Sequence, residues 1–513
     1  MSEASTDDSA IVVATRRALR QRLLATADVL LEGHDLRTAS TSTILHRLAL
    51  IAKHSDDLAP TWLLHVAVCG VMPEGEQVSD LRRRLSLSKD GGVMVAVLES
   101  TIDLASREGV GTRTMRIVSD RVLVDVNFCA THDHNTGIQR VVRKTMPHWA
   151  AAEHPVEFVA WTDDTCGFRS LNEKELERVL EWDSRPPART LSREERKRER
   201  EQERARHDQL IVPWRTTVFL PEVPFAHLCR QLASVAVASG NRVALIGYDA
   251  IPLVSAESQP PAESERFAHY LSMVKHADTV IGISRSASEE FAGFSRALEA
   301  QGISGPRIET VVLAREPADA PETADASAST PMVLCVGSHE PRKNQDSVLY
   351  AAELLHAEGI DFEMVFLGGG SRAATQHFDD RVRRIRRRGF DVTSLRRATD
   401  AELLALYARA RFSVFVSLHE GYGLPVAESL GHGTPVLTSD FGSLAEIADL
   451  GGCVEVDPRD DEAIIDGMRR MLTDDALIAR LEDEARAIPP RPWSQYADEL
   501  WQLVHETAEA AQS

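Results

Sequence analysis

The feature that most limits how this chain can fold is a repeated alternation of short apolar, β-branched runs with longer helical stretches. From residue 332 onward, MVLCVGS is followed by QDSVLYAAELLHAEG, a helical pattern that stops at a glycine. EMVFLGGG, AELLALYARAR, FSVFVS, a helix beginning at Pro425, and TPVLTS come next. Runs apolar on both faces, joined by helices, predict parallel strands buried on both sides. An earlier series has the same grammar: MRIVSDRVLVDVNF, the helix IQRVVRKTMPHW, FVAW, TVFLPEVP, RVALIGYDAIP and TVIGISRSASEEF. This alternation specifies a doubly wound α/β arrangement. Between the two series lies REPADAPETADASAST, whose Ala, Pro, Ser and Thr content reads as a linker. The expected fold is therefore α/β, with two Rossmann-like lobes and a cleft between them. Ligands of such sheets bind at the carboxyl ends of the strands.

The expected organisation is a helical domain over 1–115, with a packing or oligomerisation role, and a first lobe over 116–314. That lobe carries a charged insertion near 171–207, where SREERKREREQERAR reads as a solvated helix. A linker over 315–331, a second lobe over 332–488 and a terminal helical segment over 489–513 complete the chain. VPWRT, near Trp214, and the helix from Trp493 to His505 fall outside the repeats.

With 513 residues, 43% of them hydrophobic, the chain can bury sizeable cores and is expected to hold roughly three domains. A net charge of -20 argues against nucleic acid as the main partner. The six cysteines are scattered, which favours buried free thiols in a reducing compartment over disulfides or zinc. The start, MSEASTDDSA, is not a secretory signal, and no apolar run reaches transmembrane length. A cytoplasmic location is expected.

The segment that carries chemistry is SLHEGYGLPVAESLGHGTPV, Ser417 to Val436. A strand enters a loop in which Gly421 and Gly423 permit positive φ and close approach of a ligand. Pro425 suits the first helical turn. Amide groups at Gly423 and Leu424 then face the cleft, where the helix dipole favours a diphosphate. Glu420 and Glu428 bracket this turn, and an ionised carboxylate can accept from two neighbouring sugar hydroxyls. In CVGSHEPRKNQ, a strand ends at Gly337 and Arg342 and Lys343 follow, cations able to neutralise a departing diphosphate. HNTGIQRVVR places Gly137 in the first β–α loop, with Arg140 as a phosphate or acceptor candidate. GYDAIP places Asp249 after a strand, facing the cleft. Ser284 and Arg285 either line the acceptor side or cap a helix. The run RVRRIRRR, 381–388, is either an exposed helix face or a contact for anionic lipid.

The Glu420–Glu428 segment resembles the E-x7-E region of the retaining GT-B glycosyltransferases of family 4. CVGSHEPRK is similar to their V-G-x-x-x-P-R-K segment, and TGIQRVVR, YDAIP and ADTVIGISRSAS resemble a bacterial subset that builds mannose- or rhamnose-containing surface polysaccharides. The resemblance spans about Val122 to His505. It implies a GT-B fold, in which the last helix crosses back onto the first lobe. It also implies retaining transfer of a hexosyl unit from a nucleoside diphosphate sugar to a hydroxyl of a glycan, glycolipid or protein. GDP-mannose is the first donor it suggests. No cofactor and no essential metal are expected, and peripheral membrane contact at the inner face would suit a lipid-linked acceptor. By the resemblance, the catalytic candidates are Glu420, Asp249, Lys343 and Arg342. Gly137, Ser338, Arg342, Lys343, Glu420, Gly421, Gly423, Leu424 and Glu428 are the donor-binding candidates, with Glu428 on the ribose and Glu420 on the sugar. Ser338 stands where many relatives carry arginine, and Tyr248 where many carry histidine. Two other readings stay open: an inactive scaffold subunit, and a GT-B sugar-nucleotide epimerase.

Overall fold

The structure, a computed structural model, describes residues 3–105, 111–185, 209–316 and 330–509. The chain opens with five helices: α1 (Glu3–Leu30), α2 (Thr41–His54), α3 (Ala59–Cys69), α4 (Gly75–Leu87) and α5 (Val93–Ala105). Two separate sheets follow. The first contains β1 (Thr114–Val118), β2 (Val122–Asp125), β3 (Val156–Trp161), β4 (Phe168–Ser170), β5 (Gln209–Pro213), β6 (Thr217–Leu220), β7 (Arg242–Gly247), β8 (Thr279–Gly282) and β9 (Arg307–Thr310), in the order β1-β5-β4-β3-β2-β6-β7-β8-β9. The second contains β10 (Met332–Val336), β11 (Glu363–Leu367), β12 (Val392–Leu395), β13 (Phe412–Phe415), β14 (Val436–Ser439) and β15 (Cys453–Val456), in the order β12-β11-β10-β13-β14-β15.

Followed from β2 and from β10 onward, the two orders each reverse direction once. The chain steps from β2 to β3 on one side, and β6 returns on the other side of β2. In the second sheet β11 and β13 flank β10 in the same way. At such switch points the loops leave in opposite directions and open a crevice at the carboxyl ends of the strands. Asp125 and Glu222 end one pair of strands. Gly337 and the loop Ser417–Gly423 end the other.

Three details depart from the sequence expectation. The first sheet is not wholly parallel, because β4 runs antiparallel to both β3 and β5. Part of VPWRT, expected outside the repeats, belongs to β5: Val212 and Pro213 end this strand, which pairs with β1 in parallel register. Its apolar run is too short to be told from a loop without its partners. Strands β9, β12 and β15 are absent from the sequence expectation too. All three are edge strands with partly or fully exposed positions, so they lack a continuous apolar signal. The SREERKREREQERAR segment and residues 317–329 of the expected linker lie outside the described residues. Within the remainder of the expected insertion, Glu173–Leu180 is helical.

The opening helices do not form a body with its own core. Trp62, Leu64 and Leu81 share one apolar cluster with Leu123, Val159, Leu210, Val218 and Phe291 of the first lobe. The helices therefore cover part of one face of the first sheet. Buried Arg22 fixes α1, its guanidinium donating to the carbonyls of Ala67 (2.7 Å) and Val68 (3.1 Å). The opposite face belongs to a second cluster, in which the last helix, Trp493–Glu509, packs on the helix Gly137–Ala151. Trp149 Nε1 donates to the Ala497 carbonyl at 2.9 Å. The chain thus returns from the second lobe to the first. All six cysteines are free thiols, and no helix among the described residues is long and apolar enough to cross a membrane.

Candidate active site

The crevice of the second sheet holds a compact ionic cluster. Glu420 sits on the loop after β13, and Arg342 and Lys343 lie on the single turn Pro341–Lys343 after β10. The Glu420 Oε1 atom is 2.6 Å from Lys343 Nζ, 2.9 Å from Arg342 Nη1 and 2.6 Å from Ser417 Oγ. The three charged side chains are 9%, 11% and 15% exposed, so water screens them little. Burial alone would raise the Glu420 carboxyl, but Lys343 and Arg342 outweigh it and hold the group below the usual carboxylate range. The loop is further fixed by Ser443 Oγ on the Glu420 carbonyl (2.8 Å) and by Arg342 Nη1 on the His419 carbonyl (3.0 Å). Ser338 has no cation's role here: its hydroxyl donates to Glu340 Oε1 at 2.6 Å, and Glu340 also binds Arg342 Nε at 3.0 Å.

Gly423 adopts φ +110 and opens the helix Leu424–Gly431, with Pro425 in its first turn and no side chain capping it. A Cβ on Gly423 would meet Leu444 Cδ2 at 2.5 Å. Gly421 serves a different purpose. A Cβ there would lie 2.3 Å from the Tyr248 carbonyl and 3.1 Å from Asp249 Oδ2. The second lobe therefore touches the end of β7 at a point where only glycine fits. Ser284 Oγ reinforces this contact by donating to the Gly421 carbonyl at 2.7 Å.

Asp249 is thereby brought to the Glu420 loop. It is half-buried, and loss of water around it pushes its carboxyl up to about 6, with Glu290 adding to the rise and Arg342 opposing it. Its Oδ1 atom accepts from Ile251 N–H at 3.1 Å. Gly137 lies opposite the start of the helix Leu424–Gly431, where an added Cβ would sit 3.7 Å from Leu424 Cδ1. Glu428, one turn into that helix, is paired with Arg140 of the first lobe and accepts from Tyr407 Oη at 3.3 Å. Arg140, the phosphate or acceptor candidate, thus meets a carboxylate of the second lobe.

Tyr248 is structural: its buried hydroxyl donates to the Pro221 carbonyl at 2.7 Å. Ser284 takes the capping role, accepting from Ala287 N–H at 2.9 Å. Arg285 belongs to a contact between lobes, since Glu446 accepts from the backbone N–H groups of Arg285 (3.0 Å) and Ser286 (2.6 Å). In the basic run, Arg381, Arg383 and Arg388 pair with Asp346, Asp380 and Glu353 on the protein's own surface.

One group carries no signal in the sequence pattern. His419, next to Glu420, joins the lobes: its Nδ1 is 2.7 Å from Ser255 Oγ and its Nε2 is 2.6 Å from Glu290 Oε1. Glu290 also accepts from Ala250 N–H, beside Asp249. Burial lowers the His419 imidazole, but Glu290 outweighs this and raises it. Only the position of His419 beside Glu420 hints at this role in sequence, because its partners lie far away along the chain.

The arrangement joins a buried anion and two cations at a strand-to-helix turn, a second carboxylate one turn into the helix, and an aspartate on the facing lobe. Such a site can seat a diphosphate between cations and helix start while its carboxylates receive hydroxyl donors.

Residues 330–474 match the family model described as glycosyl transferases group 1. A serotype-specific mannosyltransferase WbdA of Escherichia coli is 28% identical over 345 residues, covering 64% of this chain and 38% of that protein. An O-antigen chain mannosyltransferase B, also of Escherichia coli, is 36% identical over 143 residues, 28% of this chain and 37% of that protein. The chain thus spans about two-fifths of the length of these curated relatives. Among solved structures, a sucrose-phosphate synthase from Thermosynechococcus elongatus aligns with a TM-score of 0.54 at 17% identity, covering 76% of this chain and 100% of that one. A trehalose-phosphate synthase from Burkholderia vietnamiensis aligns with a TM-score of 0.51 at 15% identity, covering 77% and 100%. Residues 330–474 thus resemble a glycosyl transferases group 1 domain and make up most of the second lobe, and the two-lobed fold is GT-B.

Proposed function

We propose that the protein is a retaining hexosyltransferase that takes its sugar from a nucleoside diphosphate donor, with GDP-mannose as the first candidate. The observation that carries this reading is the Glu420–Lys343–Arg342 cluster at the switch point of the second sheet, facing Asp249. The diphosphate lies against Lys343, Arg342 and the start of the helix Leu424–Gly431. Glu428 takes the ribose hydroxyls and Glu420 those of the hexose. As the C1–O bond to the diphosphate breaks, its electron pair leaves with the diphosphate, whose growing charge the two cations stabilise. The acceptor oxygen bonds to C1 on the same face, and its proton passes to a diphosphate oxygen. No nucleic acid, cofactor or essential metal enters this scheme. The acceptor is a hydroxyl of a glycan, glycolipid or protein. The mannosyltransferase names of the relatives support mannose as the hexose.

A panel of nucleoside diphosphate sugars tests the reading through melting temperature, because a ligand of the native state alone must raise it. GDP-mannose is expected to give the largest shift. Mannosyl transfer to an oligosaccharide acceptor is then followed by anomeric NMR, with an α product expected from the α-configured donor. A protein that responds to no donor is a scaffold. One that converts a donor to its epimeric sugar nucleotide without an acceptor is an epimerase.

A further inference from the structure

The first sheet has its own switch point, between β2 and β6, and the residues there are not used by the donor scheme. Asp125 ends β2, and Glu222 follows β6 by two residues. Both carboxylates are buried, and both are consumed in holding one short helix, Asn127–Thr131. Glu222 accepts from the N–H groups of Phe128 (2.7 Å) and Cys129 (2.8 Å). Asp125 accepts from Asn127 N–H (3.2 Å) and from Trp161 Nε1 (2.8 Å). What this scaffold presents outward is a set of rings. Phe128 stacks on His132 with centroids 4.4 Å apart and planes at 12°. Phe225, on the loop after Glu222, lies 6.0 Å from Phe128 and stacks on His227 at 5.7 Å and 10°. Phe225, His132 and His227 are exposed to solvent.

The shelf is rigidly built. Arg143, itself buried, donates to the backbone carbonyls of Cys129 (3.2 Å), His132 (2.9 Å) and His134, and its guanidinium lies 3.5 Å over the ring of Trp182. The carbonyls of the loop are drawn inward while its imidazoles stay outside. The same loop runs on to Gly137, at the donor-side helix. From the other side, Tyr248 Oη holds the Pro221 carbonyl and ties the Phe225 loop to the end of β7, just before Asp249. The shelf therefore borders the cleft at both of its ends.

Two phenyl rings, each with an imidazole stacked on one face, suit one class of ligand, a pyranose ring. Its C–H face is apolar and stacks on a ring, while its equatorial hydroxyls reach polar edges. We propose that Phe128, His132, Phe225 and His227 form a carbohydrate subsite that seats a terminal hexopyranose residue of the acceptor. The assignment rests on the transferase reading, but its test does not need turnover.

The probes are α-mannotriose and maltotriose, observed by saturation-transfer NMR and titrated into the full-length protein. Saturation is expected on the C–H protons of one pyranose ring of at least one probe. Phe225→Ala is expected to weaken that binding about tenfold, the loss of one stacked ring. His132→Ala weakens it less. Both variants keep the melting-temperature shift produced by the nucleotide donor. Absence of binding by both probes at 20 mM (about twenty times a millimolar Kd) overturns the subsite. So does equal binding by the wild type, Phe225→Ala and His132→Ala. If the donor fails to bind while the trisaccharides still depend on Phe225, the transferase reading falls and the subsite stands. If the nucleotide response is retained while the variants bind sugar as the wild type does, the subsite falls and the transferase reading stands.

Discussion

Arg140 of the first lobe reaches across the cleft to Glu428, the carboxylate one turn into the helix Leu424–Gly431. The contact is polar and its arginine is 42% exposed, so it adds little to stability. Its consequence lies in binding. With Glu428 occupied by Arg140, a ribose must displace the guanidinium. Glu428→Ala is expected to raise the donor KM by about tenfold or more with kcat little changed, the signature of lost uniform binding. Arg140→Ala frees the carboxylate, so the donor KM should stay level or fall. A rise in the Arg140 variant would place that side chain on the donor instead.

Glu420 differs because its partners are buried. Glu420→Gln leaves Lys343 and Arg342 facing each other without a counter-charge. Removing one member of a buried ion cluster costs about 3 kcal/mol. A lower Tm is expected together with a loss of transfer of about a hundredfold or more. The pH dependence has a definite sign. The folded pKa of Glu420 lies below its ordinary value of 4.5, so its stabilising contribution is present above that value and is lost as pH falls through the folded pKa. Urea midpoints between pH 3 and 6 should therefore fall more steeply toward acid in the wild type than in Glu420→Gln.

Asp249 moves the other way. Burial raises it to about 6, so the carboxylate forms only as pH rises through that value. If the ionised form serves catalysis, kcat/KM climbs between about pH 5 and 7. Asp249→Asn should abolish this limb rather than displace it. Stability carries the opposite sign: the raised folded pKa makes ionisation cost stability as pH increases from the ordinary 3.8 to about 6. A rate profile in Asp249→Asn that keeps the wild-type limb would remove Asp249 from the chemistry.

His419 gives a third pH response. Its folded pKa is raised by Glu290, so the ion pair stabilises fully below the ordinary 6.5 and is lost as pH rises through the folded value. The pair joins the lobes beside Asp249. Above neutral pH, small-angle scattering should show the radius of gyration of the wild type increasing as the lobes part, and His419→Gln should show no such step.

How much of this is legible in the sequence depends on the reach of each signal. The second lobe is readable because each of its central strands is buried on both faces and each helix ends in a glycine or a cap. The turn at Gly423 is readable because positive φ, a proline and two glutamates fall within nine residues. Partnerships across the cleft are not. Neither Arg140 with Glu428 nor His419 with Glu290 leaves a local pattern, since the partners are separated by 288 and 129 residues. In sequence Gly421 reads as a ligand-approach glycine, whereas its neighbour is the Tyr248 backbone. The sequence shows that a Cβ is absent but not what occupies the space.

The opening helices provide the last test, because helical periodicity alone cannot say whether such a segment folds by itself. Their apolar residues share a core with Leu123, Val159, Leu210 and Val218 of the first sheet, and Arg22 of α1 also donates to the Arg113 carbonyl just before β1. Removing residues 3–105 would bare much of one sheet face, at roughly 25 cal/mol for each Å² of apolar surface returned to water. A typical domain has only about 5–15 kcal/mol of stability to lose. The truncated protein is therefore expected to be insoluble or to bind hydrophobic dyes without a cooperative melt, rather than to survive as a two-lobed enzyme. Trp62→Ala in the intact chain gives the milder version, a loss of about 3–5 kcal/mol from a fully buried ring. A truncated protein that melts cooperatively, and whose Tm still rises with donor, would show that the helices are an appendage rather than part of the first lobe's core.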